Sequence, residues 1–176
     1  NQPEAAVEHC RELRQASLKA LRELRHMIFE LRPPDLEKLG LVAALETRLA
    51  TVEGRAGLKT ELHCEGMTDL PFAVSDGLYR IANEAFANSV RHAQASRISL
   101  RLERREREVV LEILDDGTGF DIDAGRSGGG FGLSCMEERA KRMGGTFAVQ
   151  TERGRGTRIR VSVPVADPAA SAAEPR

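Results

Sequence analysis

Nothing in this chain marks it for an oxidising compartment, a bilayer or a nucleic acid. Three cysteines, Cys10, Cys64 and Cys135, are scattered with no close pair. An odd, unclustered set offers neither a disulfide framework nor zinc-ligand spacing and points to a reducing cytoplasm. No apolar run approaches the roughly 20 residues that span a bilayer, and no signal peptide is visible. The Gly-x-x-x-x-Gly-Lys-Ser/Thr pattern of a P-loop is missing. Charge has no dominant sign, since 30% of residues are charged but the formal net charge is −1. That balance argues against a nucleic-acid partner, which favours a basic excess. The chain opens on Asn1 rather than Met, so it is expected to be part of a longer protein, with room elsewhere for a membrane anchor.

What is present is enough for one domain and an appendage: 176 residues, 41% hydrophobic. Residues 1–32 read as one long amphipathic helix. Ala6, Cys10, Leu13, Ser17, Ala20, Leu24, Met27 and Leu31 recur in steps of four and three, with Leu21 and Ile28 widening the stripe. This heptad-like seam suits packing along other helices. At about 1.5 Å per residue the helix would run roughly 45 Å, too long for a small domain alone. Pro33 and Pro34 end it, and Asp35 is placed to cap the next helical segment. Residues 41–55 form a shorter helix bracketed by Gly54 and Gly57. "LKTELHCE" reads as a strand.

Residues 72–93 predict another helix, with Ser75 or Asp76 near its start. "SRISLRLE" and "EVVLEIL" then form two strands around the charged turn "RRERE". Residues 132–143 are helical, and "GTFAVQTE" and "TRIRVSVP" make a closing hairpin around "RGRG". In the last strand Ile159, Val161 and Val163 alternate with Arg158, Arg160 and Ser162, so only one sheet face is covered. The fold expected is α/β (α+β), a two-layer sandwich of a mixed sheet with helices on one face, behind a long N-terminal helix. "ADPAASAAEPR" has the composition of a disordered tail. The predicted division is 1–34, the helix; 35–165, the domain; and 166–176, the tail.

Four separated features carry chemistry. On the 72–93 helix Glu84, Asn88 and His92 stand at i, i+4 and i+8 with Arg91 beside them. Leu78, Ile81, Ala82, Ala85 and Ser89 fill the arc expected to be buried. An amide oxygen suits a hard cation such as Mg²⁺, and Arg91 and His92 suit phosphate oxygens. A merely solvated helix edge is the plain alternative. Next, a strand runs into "DDGTGF", residues 115–120, an ordinary turn signal by itself. Gly128, Gly129, Gly130 and Gly132 then open a helix, whose free amides form an anion site. Glycines there also suit a flexible loop. Last comes "GRGT", residues 154–157, by itself a hairpin turn.

The order of these features resembles the Bergerat-type (GHKL) ATP-binding domain of sensor histidine kinases, Hsp90-like chaperones, gyrase-type topoisomerases and MutL-like repair proteins, over about residues 70–165. "ELRPPDLEKLGLVAALE" adds a resemblance to two-component sensor histidine kinases of the nitrate-sensor and desaturase-thermosensor type. There this stretch is the second helix of the dimerisation and phosphoacceptor hairpin with its link to the catalytic domain.

That resemblance implies ATP and Mg²⁺ as ligands and carries roles onto matching positions. Asp115 would accept the adenine amine; a carboxylate only accepts. Gly117 and Gly119 would let backbone approach the base. Asn88 would ligate Mg²⁺, and Glu84 is the acidic, candidate catalytic residue of the same box. Arg91 and His92 would meet phosphate or ribose. Gly130, Gly132 and Leu133 would form the lid end and the helix start under the triphosphate. Thr157 would hold Asp115 or a water against adenine. Phe131 stands where many relatives have His, and the lid, about 121–131, is short.

The implied activity is histidine phosphorylation for relay to a response regulator of the LuxR/NarL type, in a homodimer formed through the hairpin, in the cytoplasm or as the cytoplasmic part of a membrane-anchored sensor. The phosphoacceptor itself has no match: His9 and His26 fall on the second helix, and His63 reads as a structural strand residue. The alternatives are a Bergerat-fold ATPase or anti-sigma-type serine kinase, and a nucleotide-free docking module.

Overall fold

Strict alternation of apolar and polar residues builds the centre of the molecule. In the computed structural model, which describes residues 34–67, 70–122 and 131–166, five strands form one sheet. They are β1 (Lys59–Glu65), β2 (Arg97–Arg104), β3 (Glu108–Asp115), β4 (Thr146–Thr151) and β5 (Thr157–Pro164). Their order is β1-β2-β3-β5-β4. The β1–β2 pair is parallel and the others are antiparallel, so the sheet is mixed as expected. Ile98, Leu100, Leu102, Val109, Leu111, Ile113, Ile159, Val161 and Val163 lie on one face and are buried. Arg101, Glu103, Glu112, Arg158 and Arg160 lie on the other, where ion pairs join Arg101 to Glu103 and both Arg158 and Arg160 to Glu112. The side chain of His63 on β1 points outward and is 63% exposed.

Among the described residues three helices cover the apolar face. α1 (Pro34–Ala56) is interrupted at Gly40, whose φ of 79° only glycine adopts without strain. Asp35 lies within this element, ahead of the Gly40 interruption. Leu41, Leu45, Leu49 and Val52 then supply the buried stripe.

α2 (Phe72–Asn88) buries Leu78, Ile81, Ala82, Ala85 and Phe86. Its N-cap is Pro71, whose carbonyl accepts the Val74 and Ser75 amides at 2.9 and 3.1 Å. Asp76 instead binds Arg80 one turn on, at 2.8 Å. From Ser89 to Ala93 the chain winds as a π turn and leaves through Gln94 in the left-handed region.

α3 (Phe131–Arg142) lies antiparallel against α2. A Cβ on Gly77, near the start of α2, would fall 2.2 Å from the Met143 sulfur just past the end of α3. A Cβ on Gly132, at the start of α3, would meet Glu84 near the end of α2. Glycine at these two places leaves room for the Met143 thioether and the Glu84 carboxylate between the helices.

The seam on residues 1–32, with His9 and His26, lies outside the described residues. So do residues 167–176 of the tail. Phe86 is fully buried at the centre of the helix–sheet interface. Phe86→Ala should cost about 3–5 kcal/mol, read from the midpoint of urea unfolding.

Candidate functional site

β3 ends in two adjacent carboxylates with different surroundings. Asp116 faces outward and accepts the Ser96 hydroxyl at 2.6 Å, the Ser96 amide at 2.7 Å and the Arg97 amide at 2.9 Å. These donors, the Ser96 hydroxyl foremost, hold its carboxyl below the usual range. Asp116 therefore ties the β3 exit to the start of β2. Asp115 shares the strand face of Val109, Leu111 and Ile113 and is half-buried beside the helices. Its Oδ1 accepts the Gly117 amide at 3.0 Å, and its Oδ2 accepts the Ser89 hydroxyl at 2.9 Å. A carboxylate offers about four acceptor positions, so these two donors orient it and leave acceptor capacity.

The turn after Asp115 is built from close backbone contacts. Gly117 is buried, and a Cβ there would lie 2.4 Å from the Ala93 carbonyl oxygen. Gly119 has φ +57° and would put a Cβ 2.1 Å from the Glu152 carbonyl. Hydrogen bonds lock the same approach: Thr118 amide to Ala93 carbonyl, and Gly154 amide to Thr118 carbonyl, each 2.7 Å. The Phe120 amide reaches the Thr151 hydroxyl at 3.1 Å, and that hydroxyl donates to the Gly156 carbonyl at 2.9 Å. The β4–β5 hairpin thus braces the turn from one side and the π turn braces it from the other. Thr157 pairs across from Asp115. Its hydroxyl lies 3.3 Å from that of Thr151, and the hydroxyl that holds Asp115 is that of Ser89.

The polar end of α2 forms the second wall. Glu84 and Asn88 are half-buried where α3 begins. A Cβ on Gly132 would lie 2.4 Å from Glu84 Oε1 and 3.1 Å from Asn88 Nδ2. Leu133 packs against the core behind them. Arg91 and His92 are exposed on the π turn. A π turn advances each residue by a smaller angle than an α-helix, so His92 stands at a different angle to Asn88 than α-helical winding would give, on the same exposed stretch as Arg91. Gly130, the Phe131 side chain and lid residues 123–129 lie outside the described residues.

The bond from Ser89 to Asp115 is what sequence reasoning misses, because Ser89 falls in the arc expected to be buried. The available signal is a hydroxyl among apolar residues, on a helix leading to the glycine turn. Among the described residues no group of three His, Cys, Asp or Glu side chains is placed to hold a metal alone. The Asn88 side-chain amide has the hard oxygen that would suit Mg²⁺ completed by phosphate oxygens, with the Glu84 carboxylate one turn away on the same helix. Among the described residues no helix is long and apolar enough to cross a membrane. A cavity of about 130 Å³ lies on the uncovered sheet face, lined by Arg101, Glu103, Arg105, Val110, Glu112 and Arg160. By strand alternation it is on the side away from Asp115, and ion pairs already engage its carboxylates.

A histidine kinase-, DNA gyrase B- and HSP90-like ATPase family matches residues 73–167, which contain Glu84, Asn88, Asp115 and the glycine turns. The chain belongs to this family. It is 32% identical over 161 residues to the signal transduction histidine-protein kinase/phosphatase DegS of Brevibacillus brevis, covering 91% of this chain and 42% of the relative. It is 36% identical to a sensor-like histidine kinase of Chloroflexus aurantiacus, over 93% of this chain and 29% of that one. It is also 36% identical to the sensor histidine kinase MctS of Rhizobium johnstonii, over 82% and 32%. The chain thus spans less than half the length of these relatives.

The fold is similar to that of the histidine kinase domain from the blue-light activated histidine kinase of Erythrobacter litoralis EL346. The TM-score is 0.58 at 20% identity, covering 70% of this chain and 60% of that one. The family match and this likeness agree on an α/β fold of the expected kind.

In this ATPase-family domain Gly132 serves the site more than the fold. The atom nearest its missing Cβ is the far end of the flexible Glu84 side chain. Gly132→Ala should leave the unfolding midpoint within about 1 kcal/mol of wild type, because that carboxylate can swing aside. Affinity for Mg·ATP should fall severalfold, because the displaced side chain sits beside Asn88. Thermal unfolding and calorimetric titration check the two halves.

Proposed function

We propose that the domain binds Mg·ATP between the Asp115–Gly119 turn and the Glu84–Asn88 end of α2, and transfers the γ-phosphoryl group to a histidine. The observation that carries this reading is the half-buried Asp115 carboxylate, oriented by two donors and still able to accept. It suits the 6-amino group of adenine. Gly117 and Gly119 leave backbone free to lie under the base. Asn88 presents an amide oxygen for Mg²⁺ beside the Glu84 carboxylate. The ion, when bound, neutralises phosphate charge. Arg91 and His92 on the exposed π turn are available to phosphate or ribose oxygens, and Thr157 to a water at the base edge. Gly130, Gly132 and Leu133 would shape the cover and the helix start under the triphosphate.

In the transfer, a neutral imidazole nitrogen attacks the γ-phosphorus in line. The bond from that phosphorus to the β–γ bridging oxygen breaks, and ADP leaves. Glu84 is the candidate to orient the reacting group. The acceptor imidazole belongs to a dimerisation hairpin, of which residues 1–34 would be the second helix, followed by the catalytic domain at 35–165 and a tail at 166–176. The full protein would act in the cytoplasm as a homodimer and pass the phosphoryl group to an aspartate of a LuxR/NarL-type response regulator. The names of the relatives and the "LRPP" junction support this reading.

Calorimetric titration tests it. Wild type should bind ATP more tightly with Mg²⁺ than without. Asp115→Asn replaces an acceptor with a donor at the amine and should weaken ATP about 10- to 100-fold. Asn88→Ala should remove most of the Mg²⁺ dependence and spare most metal-free affinity. Equal ATP binding by wild type and Asp115→Asn would put the nucleotide elsewhere.

A further inference from the structure

Ser89 is the one polar side chain in the buried set among the described residues, 3% exposed. Its hydroxyl oxygen lies 3.1 Å from the Ala85 carbonyl and 2.9 Å from Asp115 Oδ2. A hydroxyl has one hydrogen to donate. The Ala85 carbonyl already accepts the Ser89 amide, and an ionised acceptor makes the stronger bond. The hydrogen therefore goes to Asp115.

Ser89 is also the first residue of the π turn, which ends at Ala93. The Ala93 carbonyl accepts the Thr118 amide at 2.7 Å, and Ala93 packs where a Gly117 side chain would be. One short segment thus grips the Asp115–Gly119 turn twice: at the carboxylate through its first residue, and at the backbone through its last. An α-helical continuation would offer Ser89 and Ala93 at a different angular separation.

We propose that Ser89 is a positioning residue for base selection. Its hydroxyl fixes the rotation of the Asp115 carboxylate so that an unused acceptor position meets a 6-amino purine, and the π turn sets that carboxylate relative to the turn under the base. This rests on Asp115 reading adenine. Specificity for the exocyclic amine then depends on a side chain that does not touch the nucleotide.

The test compares ATP with purine riboside triphosphate, which lacks only the 6-amino group, by calorimetry on the full chain. Wild type should prefer ATP. Ser89→Ala should weaken ATP about tenfold while changing purine riboside triphosphate by no more than about twofold, because only the amine contact depends on the carboxylate's aim. Ser89→Cys retains a side-chain atom at the hydroxyl position but is a much weaker donor, and should show the same selective loss. It carries the test if the alanine variant unfolds.

Equal losses for both nucleotides would make Ser89 structural only, and unchanged preference would remove it from base selection; either overturns the proposal. Asp115→Asn, measured alongside, separates the two levels. Lost preference there with intact preference in the Ser89 variants overturns the Ser89 proposal alone. A wild type that does not distinguish the nucleotides overturns the adenine reading and this proposal with it.

Discussion

A carboxylate that reads a neutral amine must be sheltered from water, aimed, and still unsaturated. Asp115 meets these conditions through its place on the sheet. It ends a central strand on the apolar face, so the helices shelter it, and two short hydrogen bonds aim it. Asp116, one residue later, faces the other way and is held by three donors. The period of two in a strand therefore separates the carboxylate proposed to meet the base from a structural one.

The rest of the molecule supports that point. The sheet is held from the helix side by Leu111, Ile113, Phe86 and their buried neighbours. Backbone approaches of the Asp115–Gly119 turn to Ala93 and to Glu152 leave no space for side chains, so glycine is required where they meet. At Gly132 the neighbours are instead the Glu84 and Asn88 side chains, so the start of α3 lies at the phosphate end of the proposed site. On the opposite sheet face, Glu103 and Glu112 lie under exposed arginines that pair with them. Such pairs on an open surface add little stability.

Much of this is legible in the sequence. Alternation in "SRISLRLE", "EVVLEIL" and "TRIRVSVP" marks the strands, because each has one buried and one open face. The Glu84–Asn88 spacing and the glycines mark the proposed site walls, because helix period is local and a glycine can signal a close approach whatever backbone makes it. Four features are hidden, each for a physical reason. Winding of residues 89–93 as a π turn depends on what Ala93 and Ser89 meet in the folded chain. A serine in an apolar arc looks like a small filler until its partner, 26 positions away, is known. The Pro71 cap of α2 has no side-chain hydrogen bond to signal it. The Thr157 hydroxyl lies 3.3 Å from that of Thr151 across the hairpin, a pairing set by strand register and not by any local pattern.

The most direct measurement of adenine reading by Asp115 is a backbone amide chemical-shift titration with adenosine, which carries the base without phosphate or metal. The largest shifts are expected at Gly117, Thr118 and Gly119, with Ser89 and Ala93 moving too because they grip that turn. Residues around Val110 on the open sheet face should stay still. Shifts concentrated at Arg101, Val110 and Arg160, with the Asp115–Gly119 turn unmoved, would contradict a base site at Asp115.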